Sequence, residues 1–580
     1  MARQLERFEN LVSLFLTRAG EKGEKPFLRA KRDGEWRSIS WAEAARQVAA
    51  LAASLKQIGL QRGDRIALVS ENRPEWLIAD LAIMAAGCVT VPTYTTNTER
   101  DHAHILGNSG ARAVIVSNQR LAKNLVPAVL TSAECHHIIG IEDIRAGQTP
   151  DWVSVHDWAE LTGGDADIER LSGEMADVGR DDLACIIYTS GTGGAPRGVR
   201  QHHGAILCNL EACTDIISGD FGWGDEVFLS FLPASHAYEH TGGQMFPIAL
   251  GAEVYYAESL EKLAANIEEV HPTIMIVVPR LFEMLRARIM KSIESSGGFA
   301  NYLLRRALKI GSDKYHGRLK PWDLPMDGLL ALTLRRKIRE KVGGRVKAWV
   351  SGGAPLNPEV GIFFQSLGIT FLQGYGQTEA GPLISCNRPS VGIRLETVGP
   401  PAGCDVKIAD DGEIMVRGEN VMHGYWRNED ETARVLRDGW LATGDVGHFD
   451  DKGRIVITDR KKDILVNDKG DNVSPQRIEG MLTLQPEIAQ AMVYGDRRPH
   501  LVALIVPDPE IASAPNVQQR VQSALDRVNA ELSVIERARR FILADEPFSI
   551  ANEQLTPSLK IRRHVISNAY ADRLNALYRK

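Results

Sequence analysis

The sequence predicts an α/β protein: a large N-terminal domain of α/β subdomains ending in a β-rich subdomain, followed by a small α+β C-terminal domain. Three observations carry this. Helical periodicity alternates with short β-branched runs through the first part of the chain. Several of those runs break off into glycine-rich turns, where α/β sheets hold ligands. Beyond Gly399 the texture changes to short strands and tight turns, and the charged stretch Asp459 to Asp463 then closes that region. The expected boundaries are residues 1–459 for the N-terminal domain (β-rich from about 399 to 459), 460–463 for a hinge and 464–580 for the C-terminal domain.

Leu11 to Leu16, interrupted by Ser13 and closed by Thr17 and Arg18, reads as an amphipathic helix; no small-residue cleavage site follows it, which argues against a secretion signal. Trp41 to Ile58 carries helical spacing, and Ile66–Val69 and Ala113–Val116 read as strands. The run Leu183 to Ile187 feeds a loop containing Thr189, Ser190, Gly191, Thr192, Gly193, Gly194, Arg197 and Gly198. Glycines let a backbone turn its N–H groups onto anionic oxygens, and three hydroxyls and a guanidinium add donors, so a polyphosphate would sit there. A plain surface turn is the alternative. The loop is not a Walker A motif, because Arg197 is followed by Gly198 rather than Ser or Thr.

A helix is expected over Gly204–Ile217, and the strand Phe228–Leu232 stops at Pro233 and presents His236 and Glu239. Alone, His236 is a packed or solvated histidine, and Glu239 its helical neighbour. Ile274–Val278 reads as a buried strand. The region 302–347 is strongly basic and helix-patterned, with Arg305, Arg306, Lys309, Arg318, Lys320, Arg335, Arg336 and Arg339 among its cations. Two readings stand for it: a solvated amphipathic helix pair, or a patch resting on anionic lipid. The strand Val346–Val350 runs into Gly352, Gly353, Ala354 and Pro355, and Ile369–Leu372 runs into Tyr375, Gly376, Thr378 and Glu379. The β-rich region carries Trp440 to Asp445. Past the hinge come strands Ala491–Tyr494 and Leu501–Val506, a helix around Val517–Leu532, and the basic segment Leu559–Arg563.

A net charge of −6 and a pI near 6.2 argue against a nucleic-acid binder and for a small ligand. Seven scattered cysteines with no Cys-x-x-Cys pair fit a reducing cytoplasm and not a structural zinc site. No segment reaches the about 18 consecutive apolar residues of a membrane span, so any membrane contact would be peripheral.

In type, order and spacing these motifs resemble the adenylate-forming superfamily of acyl-CoA synthetases, luciferases and peptide-synthetase adenylation domains, over nearly the whole chain. Leu303–Leu308, Lys337–Arg339, Gly343–Val346 and Leu555–Lys560 are similar to segments of its long-chain fatty acyl-CoA synthetase branch. The resemblance implies the adenylate-forming fold with a mobile C-terminal domain, and ATP, Mg²⁺ and coenzyme A as reactants. Thr189 to Gly198 would grip the β- and γ-phosphates, Gly352 to Pro355 and Tyr375 would pack on adenine with Gly376 beside them, and Thr378 would reach the α-phosphate. Glu379, with Thr189, would hold Mg²⁺; Asp445 and Arg460 would bond the ribose hydroxyls. His236 would lie near the fatty-acid carboxylate, Lys462 would be the hinge, Gly470 would line the pantetheine path and Lys560 would be the catalytic lysine.

Gly193 and Arg197 depart from the commonest pattern, which has threonine and lysine there, and Leu559 replaces a glycine common before the catalytic lysine. These read as tuning of ATP affinity. The implied activity joins a fatty acid to coenzyme A through an acyl-adenylate. Transfer to a carrier-protein pantetheine and a weakened lipid-binding or scaffold protein stay open, the latter opposed by retention of Glu379, Asp445, Arg460 and Lys560.

Overall fold

The computed structural model describes residues 3–145, 149–189, 195–294, 297–468, 471–549, 551–556 and 561–579. Among them the strands form five sheets, of eight, seven, five, three and two strands. The seven-stranded sheet runs Ser154–Asp157, His137–Gly140, Ala111–Val116, Arg65–Val69, Val89–Pro92, Leu183–Thr189, Arg197–His202, parallel except for the last pair. Ile66, Ala67, Leu68 and Val69 are all buried, as expected of a parallel strand covered by helices on both faces.

The eight-stranded sheet places Leu383–Cys386, Phe371–Gly376, Ala348–Ser351, Ile274–Val277, Val227–Ser230, Glu253–Tyr256, Pro26–Arg32 and Glu35–Ser40 side by side. Its middle is parallel and both outer pairs are antiparallel. One large core joins the two sheets through the helices Leu11–Lys22, Trp41–Gln57, Pro74–Ala85 and His203–Phe221. The first of these is opened by Asn10, whose side chain accepts from the Ser13 N–H, an N-cap that starts the helix at the apolar run.

The β-rich subdomain is the five-stranded sheet, from Asp405–Ile408 to Ile455–Arg460. The C-terminal unit packs Ile488–Tyr494, Leu501–Pro507 and Ala538–Leu543 against the helices Pro475–Thr483 and Val517–Glu531. Arg460 stays in the ladder opposite Asp445, and the turn begins at Lys461, with the Asp463 N–H donating to the Arg460 carbonyl at 2.9 Å.

Several expectations are refined. Arg197 and Gly198, expected in the phosphate loop, stand on a strand: Leu183–Thr189 pairs with Arg197–His202 as a hairpin, which brings Thr189 opposite Arg197. The strand before Pro233 ends at Ser230. The basic region holds three α-helices rather than a pair, Gly298–Tyr315, Leu324–Leu332 and Leu334–Lys341, with a 3₁₀ turn over Pro321–Asp323.

Candidate functional site

A cavity of about 2140 Å³ lies where the two large sheets, the β-rich subdomain and the C-terminal unit meet. Its polar end is built from strand termini. Thr378–Ala380 forms one turn of 3₁₀ helix after Phe371–Gly376, fixed by Gln201 Nε2 donating to the Thr378 carbonyl at 2.6 Å and by Met422 N–H donating to the Glu379 carbonyl at 3.0 Å. Tyr425 donates its hydroxyl to Glu379 Oε1 at 2.8 Å. Over the same ring, 4.7 Å from its centre, lies the Arg197 guanidinium, which also donates to Glu431 at 2.7 Å. The strand after the phosphate loop is sewn to this segment: Arg200 N–H donates to Gly424 at 3.0 Å, and Trp426 N–H to Gly198 at 2.7 Å.

Asp445, 3% exposed, accepts from Tyr375 Oη at 2.6 Å and from Arg460 Nε at 3.1 Å. Burial, reinforced by Asp445, holds the Tyr375 phenol well above its usual pKa. Burial works against the Arg460 charge, but Asp445 and Asp463 outweigh it and raise the pKa. Gly352, Gly353, Ala354 and Pro355 form the adjoining wall. A Cβ on Gly352 would stand 2.9 Å from the Tyr238 ring, whose hydroxyl donates to the Val350 carbonyl at 2.8 Å, so only glycine lets the strand end pass that ring.

His236 lines the cavity and caps the short helix Ala237–Glu239, its Nδ1 accepting from the Tyr238 N–H at 3.2 Å. Glu239 is not presented alongside it. The carboxyl is 1% exposed, accepts from Ser230 Oγ at 2.6 Å and Gln244 Nε2 at 3.3 Å, and burial pushes its pKa up to about 8. The turn that follows, His240–Met245, is a π-helix; a Cβ on Gly243 would sit 2.2 Å from the Glu239 carboxyl oxygen, so the extra-wide turn and the glycine together make room for the acid.

The apolar part of the cavity lining includes Ile187, Cys213, Ile216, Ile217, Phe246 and Ile276. Burial raises the Cys213 thiol to about 12, so it behaves as apolar lining rather than as a nucleophile. On the C-terminal side, Lys462 stands exposed in the turn after Arg460 and borders the cavity, as do Thr556, Ile561 and Arg562. Arg563 Nη1 and Nη2 donate to the Glu479 carboxylate at 2.7 and 2.9 Å, which anchors the segment just beyond Lys560. Ser190, Gly191, Thr192, Gly193, Gly194, Gly470, Leu559 and Lys560 lie outside the described residues.

The structure thus brings Thr189, Arg197, His236, Gly352 to Pro355, Tyr375, Gly376, Thr378, Glu379, Asp445, Arg460 and Lys462 to one cavity. Sequence reasoning missed Tyr425 and Glu431, which have no local signal: they act across 46 and 234 positions of chain. A separate cluster, Asp181, His202 and His423, could hold a metal by proximity, but both His202 nitrogens already face carbonyls, of Arg180 at 2.9 Å and Val421 at 3.2 Å. It is a structural clasp.

Residues 15–426 match the family model for AMP-binding enzymes, and residues 462–580 match that for the AMP-binding enzyme C-terminal domain. The chain belongs to the AMP-binding enzyme family. Within it, this AMP-binding enzyme is 31% identical over 572 residues to a long-chain-fatty-acid–CoA ligase of Mycobacterium tuberculosis, covering 94% of this chain and 93% of that one. It is 29% identical over 592 residues to the peroxisomal long chain acyl-CoA synthetase 7 of Arabidopsis thaliana, covering 94% and 82%. Among solved structures it resembles the adenylation domain of a carboxylate reductase from Mycobacterium chelonae, with a TM-score of 0.75 at 23% identity over 99% of this chain and 92% of that one. The expected adenylate-forming fold and long-chain acyl-CoA synthetase branch are borne out.

Proposed function

We propose that the protein activates a long-chain fatty acid with ATP and passes the acyl group to coenzyme A. The observation that carries this is one cavity lined both by apolar side chains and by Glu379, Asp445 and Arg460, with Thr556, Ile561 and Arg562 of the C-terminal unit on its border. An alkyl chain would lie against Ile216, Ile217, Phe246 and Ile276, which line the cavity together with His236, the residue that would receive its carboxylate.

In the first half-reaction a carboxylate oxygen attacks the α-phosphorus and pyrophosphate leaves. Both partners are anionic, so the protein's task is to neutralise charge and align the groups rather than to remove a proton. Asp445 and Arg460 would fix the ribose, Gly352 to Pro355 and Tyr375 the base, and Thr189 and Arg197 the outer phosphates. Glu379 Oε1 takes the Tyr425 hydroxyl, and Glu379 and Thr189 both line the cavity; a carboxylate and a hydroxyl are the hard-oxygen donors that suit Mg²⁺. Bound there, the ion would neutralise phosphate charge. Lys560 would steady the charge building on the α-phosphoryl oxygens. In the second half-reaction the coenzyme A sulfur attacks the acyl carbonyl, AMP leaves, and the thiol proton passes to solvent. Lys560 has no part in that step, and a turn at Lys462 would exchange the face carrying it for the one carrying Gly470.

The experiment is pyrophosphate exchange and AMP release with fatty acids of increasing length, free coenzyme A being compared with a holo-carrier protein as acceptor. Exchange confined to short acids, or AMP release only with the carrier, would overturn the reading; no exchange with any acid would leave a binding protein.

A further inference from the structure

The helix Leu324–Leu332 points its apolar residues the wrong way for a solvated amphipathic helix. Leu330 is fully buried, but the outward residues are Leu324, Pro325, Gly328, Leu329 and Leu332, with Leu324, Leu329 and Leu332 exposed by 56, 49 and 76%. Trp322, 73% exposed, stands just before it, with Lys320 Nζ 5.3 Å from the ring centre, and Phe299, 75% exposed, opens the preceding helix. Beside Trp322 is a hollow of about 450 Å³ lined by Arg306, Lys309, Arg318 and Lys320 against Asp313 and Asp323. Asp323 is already taken by Arg306 at 3.1 Å, so the remaining cations dominate the rim.

We propose that this face is a membrane-docking platform, in which Trp322, Leu324, Leu329 and Leu332 enter the headgroup layer while Lys309, Arg318 and Lys320 receive the phosphodiesters of anionic phospholipid. Exposed apolar side chains that follow, along the chain, a cation-lined hollow at Trp322 are what an interfacial helix presents to such a surface. A second copy of this chain is a poorer occupant: a two-fold interface would set the same cations against themselves. No described helix is long and apolar enough to cross a membrane, so the contact is peripheral. The basic region is not uniform in this role. Arg335 is 12% exposed, pairs with Asp327 at 2.6 Å and donates to the Ser366 carbonyl at 2.7 Å, so it holds the helices together and does not face lipid.

The inference rests on the proposed fatty-acid activity for its purpose but not for its test. The full chain is floated with phosphatidylcholine vesicles, with and without phosphatidylglycerol, in the absence of ATP and fatty acid. The expected result is binding that requires phosphatidylglycerol, weakens with salt, and falls about tenfold or more in Lys309→Glu/Arg318→Glu and separately in Leu329→Ser/Leu332→Ser. Fluorescence of Trp322, taken as the difference between wild type and Trp322→Phe, should shift to the blue on anionic vesicles. Equal binding to neutral vesicles, or binding indifferent to both double variants, overturns the proposal. So does a dimer by sedimentation that Leu329→Ser/Leu332→Ser dissolves, because the face would then be a contact between copies. Exchange activity on a water-soluble acid, unchanged in both variants, shows that they are folded and separates failure here from failure of the activity itself.

Discussion

Tyr425 donates its hydroxyl to Glu379 at 2.8 Å while its ring carries the Arg197 guanidinium, so one aromatic side chain orients both an anion and a cation of the cavity. Tyr425→Phe keeps the stack and removes only the hydroxyl. One hydrogen bond to a charged group is worth roughly 1.5–3 kcal/mol. The expected outcome is a rise of about tenfold in the Mg²⁺ concentration needed for half-maximal pyrophosphate exchange, with the fatty-acid KM little changed. An unaltered Mg²⁺ dependence would remove Glu379 from the metal site.

Asp445 is the acceptor for both Tyr375 and Arg460. Asp445→Asn should raise the KM for ATP by roughly 30-fold or more, since charge-assisted bonds there are about twice as strong as neutral ones. The KM for fatty acid should move far less. Titration with ATP at saturating acid, then the reverse, checks the split, and equal increases in both would mean that the cavity has collapsed.

Glu239 gives a stability test with a definite sign. The unfolded carboxyl titrates near 4.5 and the folded one near about 8, so between those values the folded state keeps a proton the unfolded state has released. Stability therefore falls as pH rises through that window, by about 1.4 kcal/mol per unit, and levels off above it. Glu239→Gln mimics the neutral acid and does not titrate. Denaturant midpoints of the two proteins should diverge in favour of the variant from pH about 4.5 to about 8, and parallel curves would show that the acid is ionised in the folded state.

Lys560→Ala should nearly abolish acyl-adenylate formation and spare thioester formation from supplied acyl-adenylate, because the lysine is needed only where charge builds on phosphorus. Equal loss in both half-reactions would contradict its assignment.

The sheet strands and glycine turns were legible because strand period and φ freedom are local properties: Ile66–Val69 and Gly352–Gly353 are found where the sequence puts them. What was not legible depends on distant chain. Glu239 read only as a helical neighbour of His236 and is instead a buried acid, enclosed by a π-turn and bonded by Ser230. Neighbouring arginines likewise part company, Arg335 held inward by Asp327 and Arg336 exposed beside Glu340, because helical phase against the rest of the fold decides it. Leu324–Leu332 shows the same limit: an apolar stripe announces a buried face, and here a second one looks outward.

The apolar and the polar lining of the cavity come from different stretches of chain. Cys213, Ile216 and Ile217 project from His203–Phe221, and Phe246 follows the π-turn, whereas Asp445 and Arg460 belong to the β-rich subdomain. None of those four apolar residues contributes to the Asp445–Arg460–Tyr375 or Glu379–Tyr425–Arg197 groups. Substitutions at these four positions therefore leave the hydrogen bonds of the polar groups in place, whereas Asn209 on the same helix, which bonds Leu383, is not free in this way. A lineage built on this plan can change the length and shape of the molecule it accepts in small inherited steps, each leaving the reactive machinery intact.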